Sequence, residues 1–118
     1  MPLLNQGSKF NISLTAVGTS DTDCYEVPAN YSAVVKNLML TNSSSSTRPY
    51  TIKIYQKTPN TTTTITSDHV IASRVEHYIF TADKPLFLSA EDKITIATNA
   101  TDRIVATVCV EEFYDPAR

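Results

Sequence analysis

Apolar and polar residues alternate along short segments of this chain. In Lys9–Val17, which reads KFNISLTAV, every second residue from Phe10 onward is apolar. Side chains of a strand point alternately to its two faces, so the pattern predicts a half-buried strand. Its apolar side is formed by Phe10, Ile12, Leu14 and Ala16.

Two longer segments are apolar on both sides. Val27–Asn42 reads VPANYSAVVKNLMLTN, and Ile104–Phe113 is apolar at most positions of both alternating sets. Such segments are typical of strands covered on both faces, or covered by a partner subunit on one face. We predict that both are central strands, in opposite sheets, and that the strand from Tyr31 places Val35 and Met39 on one face. A hairpin with Arg48–Gln56, across the loop Ser43–Thr47, is the predicted local pairing.

The remaining segments are shorter. Strands are also predicted at Cys24–Val27, His69–Ala72, Val75–Phe80, Pro85–Leu88 and Lys93–Thr98, with a β-prone tract at Thr61–Ser67. About eight strands at roughly ten-residue spacing, with no helical periodicity, predict an all-β antiparallel sandwich, either a jelly roll or an immunoglobulin-like fold. The predicted organisation is an arm over 1–8, a single sandwich domain over 9–114 and a tail over 115–118.

Composition narrows the functional classes. The 118 residues carry a net charge of −2, without a cluster of lysine or arginine, which argues against a nucleic-acid partner. No apolar run approaches the ~20 residues of a membrane helix, so no membrane partner is expected. The N-terminal segment MPLLNQGSKF lacks the hydrophobic region of a secretory signal.

Four residues are the candidate metal ligands: Cys24, Cys109, His69 and His77. Their spacing contains no close ligand pair of the kind that zinc modules use, so no metal is predicted. The cysteines are expected to be two separate buried thiols, and a disulfide between them stays open for an oxidising compartment. Loop acids such as Asp21 and Asp23 lack the further oxygen ligands that calcium needs.

Catalytic motifs are also missing from the sequence. With only two glycines, the chain has no nucleophile elbow and no phosphate-binding loop. Glu111 and Glu112 are adjacent on a strand and face opposite sides, and Glu91-Asp92 is expected to shape a turn. Five Asn-x-Ser/Thr sequons reflect the abundance of serine and threonine. We therefore predict no enzyme and no cofactor.

A resemblance adds to this interpretation. VPANYSAVVKNLMLTNSSSS, TIKIYQK, PLFLSAEDKITIATN and IVATVCVEEF together resemble small β-sandwich structural proteins of tailed bacteriophages, over about residues 27–113. These proteins often carry Leu-x-x-Gly-Asp-x-Ile before the penultimate strand. Here Leu88, Asp92 and Ile94 match, but Glu91 stands where glycine is common, which implies a different turn conformation.

The resemblance implies a virion protein made in the bacterial host cytoplasm. It would be a capsid decoration (cement) protein on the head surface, contacting the major capsid protein and copies of itself in a homotrimer. Leu3, Leu4 and Phe10 are the predicted docking residues, with Phe113 and Tyr114 at the opposite end. The uncharged tracts Ser43–Ser46 and Thr61–Thr64 are expected at a particle surface or subunit boundary.

Two alternatives stay open. One is a tail, neck or fibre component of a phage. The other is a carbohydrate-binding or adhesion module, which would need an exposed aromatic platform formed from Tyr50, Tyr55 and Tyr78.

Overall fold

The computed structural model describes residues 8–101 and 103–114, which form strands and no helix. The strands are β1 (Ser8–Ala16), β2 (Thr22–Glu26), β3 (Tyr31–Asn42), β4 (Arg48–Gln56), β5 (Thr61–Ile71), β6 (Glu76–Phe80), β7 (Leu86–Leu88), β8 (Lys93–Thr98) and β9 (Ile104–Tyr114). Within these ranges no helix is long and apolar enough to cross a membrane. Leu3 and Leu4, the rest of residues 1–7, and the tail 115–118 lie outside the described residues.

Two antiparallel sheets form the sandwich. Sheet 1 has the order β1-β9-β3-β6, and β7 also pairs with β3. Sheet 2 has the order β2-β8-β4-β5. β6 pairs with Leu38–Thr41 and β7 with Ala33–Val35, so the two short strands occupy one strand position beside β3. Each sheet therefore has four strand positions, which agrees with the eight predicted strands.

The connections identify the sandwich as a jelly roll. Apart from the β4–β5 hairpin and the β6–β7 step, each connection crosses from one sheet to the other. This interleaving of two four-position sheets is the double Greek key of a jelly roll. The all-β sandwich is confirmed, and the immunoglobulin-like alternative is wrong.

The core lies between the two sheets and is aliphatic except for Cys24, Tyr25 and Tyr50. Its most buried members include Val17, Leu38, Leu40, Tyr50, Ile52, Ile71, Ile94, Ile96, Ile104, Ala106, Val108 and Val110. They come from alternate positions of the strands, as the pleat requires. Both sheets contribute to this single core, so each sheet covers the inner face of the other.

One predicted sheet assignment and one predicted pairing are wrong. β3 and β9 lie in the same sheet and pair directly from Tyr31–Tyr114 to Asn42–Ile104. β3 and β4 do not form a hairpin, because the Ser43–Thr47 loop carries the chain across to the other sheet. Apolarity on both sides of a strand indicates a central position in a sheet, as β3 and β9 have. It does not show which strand lies beside it.

A bulge explains a third error. The β3–β9 register shifts between Val35 and Asn37, which inserts Lys36 as an extra residue. Such an insertion changes which later residues face the core. Val35 is therefore buried together with Leu38 and Leu40, and Met39 points outward, so Val35 and Met39 do not share a face.

The predicted tracts at 61–67 and 69–72 form one strand, β5, in which Asp68 has a positive φ of 51°.

Candidate protein-protein interface

The apolar side of β1 faces away from the core. Phe10, Ile12 and Leu14 are 74%, 63% and 69% exposed, so the prediction of a half-buried strand is wrong about which side is buried. The inward side is polar. Ser13 donates its hydroxyl to the Cys24 carbonyl at 3.0 Å, and the Asn11 amide lies 3.5 Å from a Glu112 carboxylate oxygen.

A buried carboxylate explains this orientation. Glu112 points inward from β9 and is 1% exposed. Its Oε2 accepts the Tyr25 hydroxyl at 2.5 Å, and the Lys9 ammonium lies 3.7 Å from its Oε1. Burial raises the pKa of the Tyr25 phenol, and the hydrogen bond and charge of Glu112 raise it further, so Tyr25 stays a neutral donor. The inner side of β1 therefore adjoins the Glu112 carboxylate and the Tyr25 hydroxyl, which favours polar residues on that side.

The exposed residues of β1 belong to a larger surface, which we call the apolar face. It is the outer face of sheet 1, and its most exposed large side chains are Phe10, Ile12, Leu14, Tyr78 and Phe87. Half-buried Val34, Met39, Val105, Cys109 and Phe113 lie between them. The register joins these residues across the sheet: Ile12 is opposite Cys109, and Val34 is opposite Phe87. An apolar surface that extends over a whole sheet is typical of an interaction site.

Charge on this face is limited. Glu111 points outward beside Phe10, accepts the Ser8 hydroxyl, and lies 3.6 Å from the Lys36 ammonium. Glu111 and Glu112 are thus on opposite sides of β9, as the sequence predicted. They do not form a pair of acids that could act on one substrate.

The predicted docking residues can be placed in part. Phe10 and Tyr114 are exposed, and Phe113 is half-buried on the apolar face. Ser8 pairs with Phe113 and Phe10 with Glu111, so Phe113 lies at the same end of the sheet as Phe10, not at the opposite end. Sequence reasoning missed Ile12, Leu14, Tyr78 and Phe87 as exposed residues. The polar side of β1 carries no charge at Asn11, Ser13 and Thr15, so nothing in its sequence showed which side faced water.

The second prominent site is a polar cluster at one end of the sandwich. Asp92 is 4% exposed, and its carboxylate accepts the Ser89 amide at 2.9 Å and the Lys57 amide at 3.0 Å. Its backbone carbonyl accepts the Val27 amide at 2.9 Å. Asp92 thereby joins the loops that follow β2, β4 and β7. A cleft of about 410 Å³ lies beside it, lined by these loops.

Glu91 in this cluster adopts a φ of 67°, which is the left-handed region that favours glycine. The expectation of a different turn conformation is therefore wrong, because Glu91 takes the backbone conformation that glycine adopts most easily. The turn is shaped by Asp92 side-chain hydrogen bonds, as predicted.

The candidate metal ligands are separated. Cys24 is buried on β2, and burial raises the pKa of its thiol to about 12. Cys109 is a half-buried free thiol on the apolar face of the other sheet, so only one of the two thiols has the predicted buried environment. The His69 and His77 ring centroids are 5.6 Å apart beside Tyr50, whose hydroxyl lies 3.1 Å from Nδ1 of His77. Across residues 8–101 and 103–114, no three His, Cys, Asp or Glu side chains are grouped to hold a metal ion.

The three candidate tyrosines do not form a platform for carbohydrate. Tyr50 is 2% exposed in the core. Tyr55 pairs with Lys93 on the outer face of sheet 2, and Tyr78 pairs with Met39 on the outer face of sheet 1. A sugar could not contact Tyr55 and Tyr78 together.

The two uncharged tracts differ in structure. Asn42 is fully buried, and its side-chain amide donates to the carbonyls of Ser46, Ile71 and Ala72 at 2.8–3.2 Å. Ser44 is also buried and donates its hydroxyl to Asn42 Oδ1 at 2.7 Å. The serine loop is therefore held against the sandwich, and the sequon asparagine Asn42 is inaccessible. Thr61–Thr64, by contrast, is exposed.

Comparison with known proteins supports the fold. No family model matches the chain, and no curated protein matches it. A subunit of the disulfide-linked pili formed by Bacillus endospore appendages is similar to it, with a TM-score of 0.53 and 15% identity over 98% of this chain and 96% of that one. A chain of the T13 particle of IBDV, an icosahedral virus, has a TM-score of 0.50 and 10% identity over 93% of this chain, which spans 33% of that one.

A pentameric capsid protein from metagenomic phage sequences is a further similar structure, with a TM-score of 0.44 and 16% identity over 91% of this chain and 64% of that one. The pilus subunit and the IBDV chain, with TM-scores of 0.53 and 0.50, share the fold of this chain, and identities of 15% and 10% leave the function to be argued from the surface.

Proposed function

We propose that the protein is a non-enzymatic structural subunit of a phage virion, and that its apolar face is buried against neighbouring subunits. The carrying observation is the exposure of five large apolar side chains, between 60% and 74% each, on one face of one sheet. A free monomer rarely exposes a continuous apolar patch of this kind, and its burial against a partner would be favourable. The phage resemblance and the jelly-roll fold shared with the IBDV particle chain support the virion setting.

Within this class we propose a capsid decoration (cement) protein on the outer surface of the head, at subunit junctions. It would bind the major capsid protein and further copies of itself, in the homotrimer that the resemblance implies. Leu3, Leu4, Phe10, Phe113 and Tyr114 are the proposed contact residues. The action would be mechanical, because area buried across a junction opposes the separation of capsid subunits. Synthesis would take place in the bacterial host cytoplasm.

The two cysteines provide a direct test of buried contact. In the free protein, a maleimide reagent should modify Cys109 and leave Cys24, which is buried and has a raised thiol pKa, as an internal control. In purified particles, modification of Cys109 should fall at least tenfold. A Cys109→Ser variant gives the background. Equal modification of Cys109 in the free protein and in particles would exclude burial of the apolar face.

The arm requires a separate test. Deletion of residues 1–7 should abolish binding to particles stripped of this protein, while the melting temperature stays nearly unchanged because the core of the described residues is formed by Val17 and later residues. Retained binding would remove Leu3 and Leu4 from the proposed contact, leaving the apolar face in place.

A subunit of a fibrous assembly, such as a phage tail, neck or fibre component, is the second candidate. The favouring observation is that the pilus subunit matches this chain almost from end to end, whereas the chain spans only a third of the virus chain. Negative-stain microscopy with an antibody against the protein separates the two candidates. Label over the heads of particles supports the decoration role, and label along tails or fibres supports the second candidate.

A further inference from the structure

Among residues 8–101 and 103–114, β9 is the one strand that pairs with β1, and we call the opposite edge of β1 its free edge. This edge carries the backbone groups of the same residues that form the apolar side of β1. Val17, just after β1, donates its N–H to the Ile104 carbonyl of the neighbouring strand at 2.8 Å. In an antiparallel ladder the hydrogen-bonding side alternates from residue to residue. Odd-numbered residues of β1 therefore face β9. The even-numbered ones present N–H and C=O groups to the free edge: Ser8, Phe10, Ile12, Leu14 and Ala16.

Among the described strands, β1 is the edge strand with the least protection against pairing. It pairs with β9 over nine residues without a register shift. Of the other edges, β2 has five residues and a shift, β5 has two shifts, and the β6–β7 position is interrupted. Bulges, short length and charge are the usual means of protecting an edge.

Lys9, the one charged residue of β1, does not protect the free edge against pairing. Its ammonium lies 3.7 Å from the Glu112 carboxylate and 4.9 Å from the centroid of the Tyr31 ring, so its charge is engaged within its own subunit. A long, flat and apolar edge without charge pairs readily with another strand.

The sequence of β1 is compatible with pairing to itself. Ile12 is the central residue of Ser8–Ala16. If two copies align antiparallel about this centre, Ile12 lies opposite the partner's Ile12 and Phe10 opposite the partner's Leu14. Lys9 lies opposite the partner's Thr15, so no like charges meet. Apolar cross-strand pairs on one face stabilise such a ladder.

We propose that β1 pairs antiparallel with β1 of a second copy about a two-fold axis at Ile12, which joins the two apolar faces into one continuous surface. The proposal rests on the proposed function for its setting, and it names a second copy as the partner at this edge. In a particle built of trimers, the contact would link one trimer to the next.

Disulfide trapping tests the register. In the pairing proposed, Ile12 and the partner's Ile12 form a hydrogen-bonded pair with Cα atoms about 5.5 Å apart, within the range that a disulfide spans. Ile12→Cys is made in a Cys109→Ser background, because Cys109 lies directly opposite Ile12 in the same subunit and would compete for the new thiol. Mild oxidation of this variant should convert most chains to a covalent dimer on a non-reducing gel.

Leu14→Cys in the same background is the matched control. Its thiol is equally exposed, but the two copies of residue 14 would be four residues apart along the paired strands, about 14 Å. It should stay monomeric alone and form a heterodimer when mixed with Phe10→Cys in the same background. Equal cross-linking of Ile12→Cys and Leu14→Cys, or no cross-linking of either, would overturn the proposal.

Sedimentation equilibrium gives a second test without cysteine. Ile12→Lys places a charge on an exposed side chain, so circular dichroism should be unchanged while the mass of the solution species falls by a factor of two. An unchanged mass would contradict the pairing. Failure here is distinguishable from failure of the virion role. If Cys109 of the wild type is protected in particles while the Ile12→Cys, Cys109→Ser variant does not cross-link, the virion role is retained and the pairing is excluded.

Discussion

The two outer faces of this sandwich carry different kinds of residue over the same kind of core. The outer face of sheet 1 exposes large apolar residues on β1, β6 and β7, around the Glu111–Lys36 ion pair. The outer face of sheet 2 carries Thr51, Lys53, Tyr55, Thr62, Thr64 and Lys93. Lys53 lies 3.1 Å from Asp21 and Lys93 lies 3.6 Å from Asp23. Both are ion pairs between partly exposed side chains.

This difference indicates whether each face contacts water or protein. Surface ion pairs contribute little to stability, but they keep a sheet soluble and discourage association. Sheet 2 has two such pairs on its outer face and sheet 1 has the Glu111–Lys36 pair. Sheet 1 also exposes Phe10, Ile12 and Phe87. We infer that sheet 2 is adapted to contact with water and sheet 1 to contact with protein.

Matched substitutions on the two faces should have the largest effect on binding. Phe87→Asp on the apolar face should weaken binding to particles at least ~30-fold, the loss typical of a buried aromatic anchor. Thr64→Asp, on the exposed outer face of sheet 2 opposite Lys53, should change binding less than ~3-fold. Particle pelleting with titrated protein measures both. Equal losses for the two variants would contradict the assignment of roles to the faces.

The buried carboxylate that orients β1 gives the largest effect on stability. Glu112→Ala leaves the buried Tyr25 hydroxyl without its acceptor and should lower the free energy of unfolding by about 3 kcal/mol. Glu112→Gln retains an acceptor and should cost less than half as much. Urea unfolding followed by tyrosine fluorescence measures the difference. Similar losses for both variants would show that packing, and not the polar network, determines the orientation of β1.

The sequence predicted strand positions better than strand partners. Arg48–Gln56 and Lys93–Thr98 are strands with the predicted bounds, because local alternation and flanking turns define them. The pairing of β3 with β9 depends on contacts remote in sequence, and the bulge at Lys36 reverses a face without any local signal. The candidate interface was only partly predictable for a similar reason. An apolar side of a strand indicates contact, and the sequence of the strand does not say whether the core or a second protein supplies it.

The two cysteines extend the comparison to pH, since Cys24 lies on the inner side of sheet 2 and Cys109 on the outer side of sheet 1. Burial raises the pKa of Cys24 from 9.0 to about 12 in the folded protein. Above pH 9 the unfolded chain loses this proton and the folded chain keeps it, so stability falls as pH rises from 9 toward 12. By pH 10 the loss from this group should be about 1 kcal/mol.

Cys24→Ala is the control for this alkaline loss, since it removes the titrating group. Its own stability will be lower at pH 8, but its further decline between pH 8 and pH 10 should be smaller than that of the wild type by about 1 kcal/mol. Cys109→Ser should decline as the wild type does. Parallel curves for Cys24→Ala and the wild type would exclude Cys24 as the source.

The smallest expected effect lies at the polar cluster around Asp92, whose loops connect strands of both sheets. A substitution there tests whether stability and assembly can be changed separately. Glu91 holds a φ of 67° in a turn where its side chain makes only a 3.9 Å ion pair with exposed Lys57. Glu91→Gly relieves the left-handed strain, about 1 kcal/mol, against a greater loss of backbone entropy on folding. The net result should be a gain of about 0.5 kcal/mol in the free energy of unfolding, with unchanged binding to particles. Glu91→Ala keeps the strain and loses the same ion pair, so it should be no more stable than the wild type. If Glu91→Ala gains as much stability as Glu91→Gly, the backbone conformation is not the cause of the gain. The cause would then be removal of the Glu91 charge beside Asp92.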